Sequence, residues 1–311
     1  MGALLFGADG GGTKTLGILA DHDGKALARC QVGATNPNVV GIDEAAASLL
    51  RLVHECCTTA RRTPAEINSM VFGLAGAGSA EIRDRLVDAV NRQWEAAGFA
   101  KPSVFVESDA RIALEGAFAG GPGMIVIAGT GSIVLGKTAA GELVRVGGWG
   151  RALGDEGSGY ALGCAAIRAV ARDIDGIESA DTLRAIVAGK FGWKEREDII
   201  VAVYQENFTI ASLAPLVIEA AERGDMVARD ILVEASTELA EQVGAMAERL
   251  HPEGKAGVVF VGGLITHDNL YTQMVREAIE HVAPGIQVHP AALSPAEGAV
   301  LMALHKIQGK H

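Results

Sequence analysis

The chain has 311 residues, 49% of them hydrophobic, and its 27 basic and 38 acidic side chains leave a formal net charge of −11. That length and apolar content allow a buried core divided over about two domains. An isoelectric point near 5.2 argues against a nucleic-acid partner, because phosphate backbones are held by Lys and Arg clusters. No apolar run approaches the ~18–20 residues of a membrane span, so no membrane partner is expected.

The N-terminal MGALLFGADGGGTKT has no basic leader, and a cytoplasmic location is expected. Cys30, Cys56, Cys57 and Cys164 show neither CxxC nor Cys/His zinc spacing. They read as small buried hydrophobes, with adjacent Cys56 and Cys57 on different sides of a helix.

In chain order, the apolar runs Leu4–Ala8, Gly17–Asp21 and Ala26–Val32 alternate with the turn segments GGGTK and HDGK. Asp23-Gly24 is a hairpin pair, since Gly accepts positive φ without a steric penalty, and a three-strand meander is predicted. Ala46, Leu49, Leu50 and Val53 recur at helical spacing and predict a helix over Asp43–Thr59 with Asp43 as its cap. Strand Met70–Leu74, helix Glu81–Ala96, strand Ser103–Val106 and helix Ala110–Ala117 follow.

Gly120-Gly121-Pro122-Gly123 is a turn-rich break, which places domains at 1–119 and 120–311. A second meander, Met124–Ala128, Ser132–Lys137 and Glu142–Val146, opens the second domain. Helix Gly159–Asp173, a helical stretch Ala180–Glu222, helix Asp225–Leu250, strand Val258–Val261, helix Asn269–Val282, strand Gln287–His289 and helix Pro295–Ile307 complete it. The last helix is a candidate to pack back on the first domain. Two halves of the same order predict a duplicated α/β architecture with a ligand cleft between the copies.

Two motifs share one logic. ADGGGTKT, Ala8–Thr15, is an acid at a strand end followed by glycines and hydroxyls in a hairpin. Gly10, Gly11 and Gly12 would let backbone amides approach an anion, Thr13 and Thr15 would add hydroxyls, and Lys14 a positive charge. A Walker loop would run GK[ST] into a helix, whereas a strand follows here. Asp9 beside a phosphate site suggests Mg²⁺, direct or through water. A plain hairpin would explain the glycines but not the acid and threonines together. IAGTGS, Ile127–Ser132, repeats the pattern with Gly129, Thr130 and Gly131; two such turns can grip one polyphosphate, so ATP is the expected cofactor.

Those two motifs, together with VFGLAGAG (Val71–Gly78), ESDA (Glu107–Ala110), GGWGRALGDEGSGY (Gly147–Tyr160) and FVGGL (Phe260–Leu264), resemble the N-acetylglucosamine kinase branch of the BadF/BadG/BcrA/BcrD-type ATPase group. The resemblance spans nearly the whole chain. It implies two actin/hexokinase-like (ribonuclease H-like) domains flanking a nucleotide and sugar cleft, and phosphorylation of a hydroxyl, O6, of an amino sugar.

By the same resemblance Asp109 accepts the proton of the attacking hydroxyl, with a helix cap as the competing reading. Asn36, Gly147, Gly148, Trp149 and Asp155, with Asp109, match the sugar site; capping competes for Asp155 or Glu156, and a plain turn for Asn36. Gly262 and Gly263 match the adenosine side. Lys101, Arg145, Arg151 and His267 read as solvated charges. A homodimer is expected.

Alternatives are a glucosamine or other hexose kinase, an ATPase activating a dehydratase, or a sensor without turnover. Relatives of the activator kind bridge an iron–sulfur cluster with cysteines across a dimer, which the sparse cysteines here do not favour. A sensor would be expected to lack Asp9 or Asp109.

Overall fold

The computed structural model describes residues 3–250 and 257–309. The chain divides into two units: one runs to Pro122 and takes in the segment from Pro290 onward, and the other is Gly123–His289. The division falls inside the Gly120–Gly123 break.

In the first unit β1 (Leu4–Gly10), β2 (Thr15–Ala20) and β3 (Ala26–Val32) form the meander. β4 (Ile67–Leu74) and β5 (Ser103–Ser108) extend the sheet in the order β3-β2-β1-β4-β5. β1 is antiparallel to β2 and parallel to β4, which is parallel to β5. The helices are α1 (Pro37–Val40), α2 (Ile42–Thr59), α3 (Ala80–Ala96), α4 (Asp109–Ala117) and, from the end of the chain, α11 (Pro295–Ile307).

Strand periodicity assigns the faces. Leu4, Phe6 and Ala8 join Met70, Phe72 and Leu74 in a core with Leu49, Leu52 and Val53 of α2 and Leu86 and Val90 of α3. Leu5, Ile18 and Val71 point the other way, onto Ile112 of α4 and Ala299, Val300 and Ala303 of α11. A strand buried on both faces reads as a continuous apolar run, as β1 does. α11 lies so close that a Cβ on Gly7 would stand 2.8 Å from the Ala296 carbonyl, and one on Gly116 would stand 2.6 Å from that of Ser294.

The second unit repeats this order. β6 (Gly123–Ala128), β7 (Ser132–Lys137) and β8 (Leu143–Gly147) form its meander, and β9 (Gly257–Val261) and β10 (Gln287–His289) continue parallel to β6, giving β10-β9-β6-β7-β8. α5 (Gly159–Ile174), α6 (Asp181–Phe191), α7 (Arg196–Tyr204), α8 (Ala214–Glu222), α9 (Met226–Leu250) and α10 (Leu270–Val282) surround this sheet.

Local chemistry corrects several expectations. Asp43 is not the cap of α2; Gly41 occupies that position, and Asp43 stands in the first turn, where its charge suits the positive helix end. The stretch Ala180–Glu222 resolves into α6, α7 and α8. α6 stops at left-handed Gly192, and Phe191, Trp193 and Phe208 pack edge-on, with centroids 4.9 and 4.6 Å from Phe208, around the break. Cys56 and Cys57 are both buried, but Cys30 and Cys164 are partly exposed. Cys56 Sγ donates to the Gly17 carbonyl at 3.7 Å, while burial pushes the Cys57 thiol up to about 11.

The N-terminus of α11 carries a capping box. Ser294 Oγ accepts from Glu297 N, and the Glu297 carboxylate accepts from Ser294 N at 2.8 Å. Arg29 of β3 donates to the same carboxylate at 2.6 Å, and this bond, with those from Ser294, holds Glu297 down at about 2. The depressed value stabilises the fold above the ordinary carboxylate range, and that stability is lost as pH falls from about 4.5 through about 2. Glu297→Gln is expected to lower stability at pH 7 by up to about 1 kcal/mol. In thermal unfolding, the gap between variant and parent should close over that acidic window.

Candidate functional site

In the first unit the site grows from the carboxyl ends of parallel strands. Asp9 is the penultimate residue of β1, and Asp109 opens α4 directly after β5. Burial, then the nearby charge of Asp109, raise the Asp9 carboxyl above its ordinary value, with Lys14 pulling the other way. Two carboxylates that feel each other's charge favour a nearby cation.

Capping does not account for Asp109. The cap of α4 is Ser108, whose hydroxyl accepts from Arg111 N at 3.2 Å. Asp109 is exposed, and one of its oxygens accepts from Ala110 N at 2.9 Å. The acid therefore has a second oxygen to offer.

The β1–β2 turn is tied down by its carbonyl. Gly11 O accepts from Thr35 N at 3.1 Å and from Asn36 N at 3.2 Å, and Gly11 N donates to Lys14 O at 3.0 Å. Among the described residues the amides of Gly12 and Thr13 meet no protein acceptor, and a Cβ on Gly12 would find open space. Thr15 is a correction. It is fully buried, donates to Gly33 O at 2.9 Å and shares a 2.8 Å hydrogen bond with Thr35 Oγ1, so its hydroxyl locks the hairpin and cannot face a ligand. Asn36 Oδ1 accepts from Asn38 N at 2.9 Å and starts α1.

The second unit builds its turn in the same way. Gly129 O accepts from Gly159 N at 2.7 Å and Thr130 O from Tyr160 N at 3.1 Å, so the first amides of α5 are satisfied by the turn. The amides of Thr130 and Gly131 meet no protein acceptor among the described residues. Gly262, at φ +98°, presses on Ala128, where a side chain would collide with the strand backbone, and Gly263 is open. Gly262 and Gly263 thus adjoin the Gly129–Gly131 turn.

Asp155 stands on the other side of that turn: a Cβ on Gly131 would lie 2.8 Å from its Oδ2. Its Oδ1 accepts from Gly150 N at 3.2 Å. Ser158, not Asp155 or Glu156, caps α5. Gly147, Gly148 and Gly150 all take positive φ, and Trp149 projects outward with 71% of its surface exposed.

Two charges set aside in the sequence make specific contacts. Arg145 donates to the Gly147 carbonyl at 3.1 Å and to that of Gly148, bracing the loop. The Arg151 guanidinium sits 5.6 Å from the Tyr160 ring centroid. Neither contact leaves a spacing signal, because each depends on how the loop folds back. Among the described residues, only Asp21, His22 and Asp23 bring three candidate metal-ligand atoms within 4.8 Å of one another. They sit at the exposed β2–β3 turn, where Asp21 Oδ1 accepts from Asp23 N and Lys25 N.

A model of the BadF/BadG/BcrA/BcrD ATPase family matches residues 6–303. The chain belongs to this family. It is 33% identical over 303 residues to the N-acetylmuramic acid/N-acetylglucosamine kinase of Clostridium acetobutylicum, covering 96% of this chain and 97% of that protein. It is 30% identical over 317 residues to the N-acetyl-D-glucosamine kinase of Dictyostelium discoideum, covering 97% and 98%. A solved structure from Chromobacterium violaceum assigned as an N-acetylglucosamine kinase superposes with TM-score 0.71 at 29% identity, over 97% of this chain and 99% of that one. The duplicated α/β fold is of the actin/hexokinase type.

A raised Asp9 means that at pH 7 the folded state carries an ionised acid it disfavours. The stability linked to the protonated form is complete below the ordinary value of 3.8 and is lost as pH rises through the raised one. Asp9→Asn should therefore raise the Tm of the ligand-free protein at pH 7, and the gain should shrink toward pH 4; calorimetry across that range checks both.

Proposed function

We propose that this family member is an ATP-dependent kinase that phosphorylates a hydroxyl, O6, of an amino sugar of the N-acetylglucosamine kind. The observation that carries the reading is Asp109, an exposed carboxylate past the end of β5 whose capping duty belongs to Ser108. Near-full-length similarity to relatives named as N-acetylglucosamine kinases supports the choice of substrate. Asp109 takes the proton of the attacking hydroxyl as general base.

The donor set suits ATP and Mg²⁺. The amides of Gly12, Thr13, Thr130 and Gly131, without a protein acceptor among the described residues, offer hydrogen bonds to phosphate oxygens, with Gly10, Gly11, Lys14 and Gly129 completing the turns. Gly262 and Gly263 serve the adenosine side. Asp9 is the carboxylate for Mg²⁺, an ion held through one or two acids, waters and phosphates instead of a protein cage. Bound there, the ion neutralises charge on the transferring phosphoryl group. Asn36, Gly147, Gly148, Trp149 and Asp155 hold the sugar, with the exposed indole offering an apolar face to the ring. A cytoplasmic homodimer belongs to the same reading; among the described residues no helix is long and apolar enough to cross a membrane.

Asp109→Asn keeps the volume of the side chain and leaves Ser108 as cap, so its Tm should match the parent while turnover falls about 10²-fold or more. Near-parental turnover would move the base elsewhere, first to Asp155. In a coupled assay over a sugar panel, N-acetylglucosamine should exceed glucosamine and glucose in kcat/KM, with NMR of the product locating phosphate on O6. A preference for glucosamine or glucose would favour the alternative hexose reading.

A further inference from the structure

A cavity of about 340 Å³ opens within the second unit between α5 and α9. That volume is at the lower end of the range of small-molecule sites and suits a monosaccharide. Arg151, Tyr160 and Arg168 line one part of it, and Glu156, Glu234 and Glu238 another. Tyr160 and Arg168 lie two turns apart on one face of α5, and Arg151 stacks on Tyr160. Among the described residues neither guanidinium has an ion-pair partner.

We propose that this cavity binds a phosphorylated amino sugar, its phosphate on Arg151 and Arg168 and its ammonium and hydroxyl donors on Glu234 and Glu238. Planar guanidinium forks match phosphate oxygens bidentately. A bare anion would be repelled by three carboxylates, so the ligand must also bring donors or a positive charge. Burial and the neighbouring acids, Glu234 first, raise the Glu238 carboxyl, which a bound ammonium would relieve. The assignment to an amino sugar rests on the kinase reading; the charge pattern does not.

The cavity adjoins the candidate sugar loop. Glu156, whose Oε2 accepts from Gln242 at 3.0 Å, follows Asp155, the residue between Gly150 and Gly131. A ligand here would bear on the segment that carries Asp155.

The test is isothermal titration of the full chain in phosphate-free buffer with glucosamine 6-phosphate and, separately, inorganic phosphate. One saturable site for the sugar phosphate, at least tenfold tighter than for inorganic phosphate, is expected. Arg168→Gln and Glu238→Gln should each weaken the sugar phosphate by about tenfold, the scale of one charge-assisted hydrogen bond. Equal affinity for inorganic phosphate, no saturation by ~10 mM, a weak fragment-like affinity, or an unchanged Kd in Arg168→Gln overturns the proposal. Arg168→Gln should turn over neutral N-acetylglucosamine at the parental rate. Failure of the kinase reading would appear separately, as absent turnover by the parent protein, and leaves the titration readable.

Discussion

The central strands of each sheet are buried on both faces, and this constraint decides where polar chemistry can occur. β1 has α2 and α3 against one side and α4 and α11 against the other, so an acid in its middle would lack water and partner alike. Only the carboxyl end of the strand escapes, and Asp9 stands there; the chain after β5 delivers Asp109 to the same edge. In open α/β sheets with parallel strands, ligands collect beyond those ends for this reason.

Both units solve the problem of an exposed tight turn alike. A carbonyl of the turn is taken by amides of a later segment, Thr35 and Asn36 in the first unit and Gly159 and Tyr160 in the second. Fixing the carbonyls leaves turn amides as donors without a partner among the described residues, which is the condition for holding an anion without a cluster of basic side chains. A chain of net charge −11 can thus be reconciled with a phosphate ligand.

Architecture was legible where periodicity is strong: both meanders, the alternating helices and strands that follow them, and the long α9 can all be read from apolar spacing. The Gly-rich turns were legible because glycine and hydroxyls beside an acid have few structural explanations. Thr15 was misread because its burial depends on Thr35, twenty residues on, which no local pattern announces. Arg145 and Arg151 are exposed, as expected of solvated charges, but their loop contacts depend on the same kind of non-local folding. The break between α6 and α8 was hidden because the packing of Phe191 and Trp193 on Phe208 joins residues fifteen or more positions apart, which local spacing does not announce.

The close seat of α11 on β1 and α4 bears on the order in which the chain is made. One face of the first sheet, with Leu5, Val71 and Ile112, is covered by residues 296–303, which are synthesised after all of the second unit. On the ribosome the second unit can complete its core once His289 has emerged. The first unit, although begun earlier, must wait with an apolar sheet face uncovered. During that interval Gly7 and Gly116 keep open the narrow groove that α11 will fill, and the exposed face is a natural client for a chaperone.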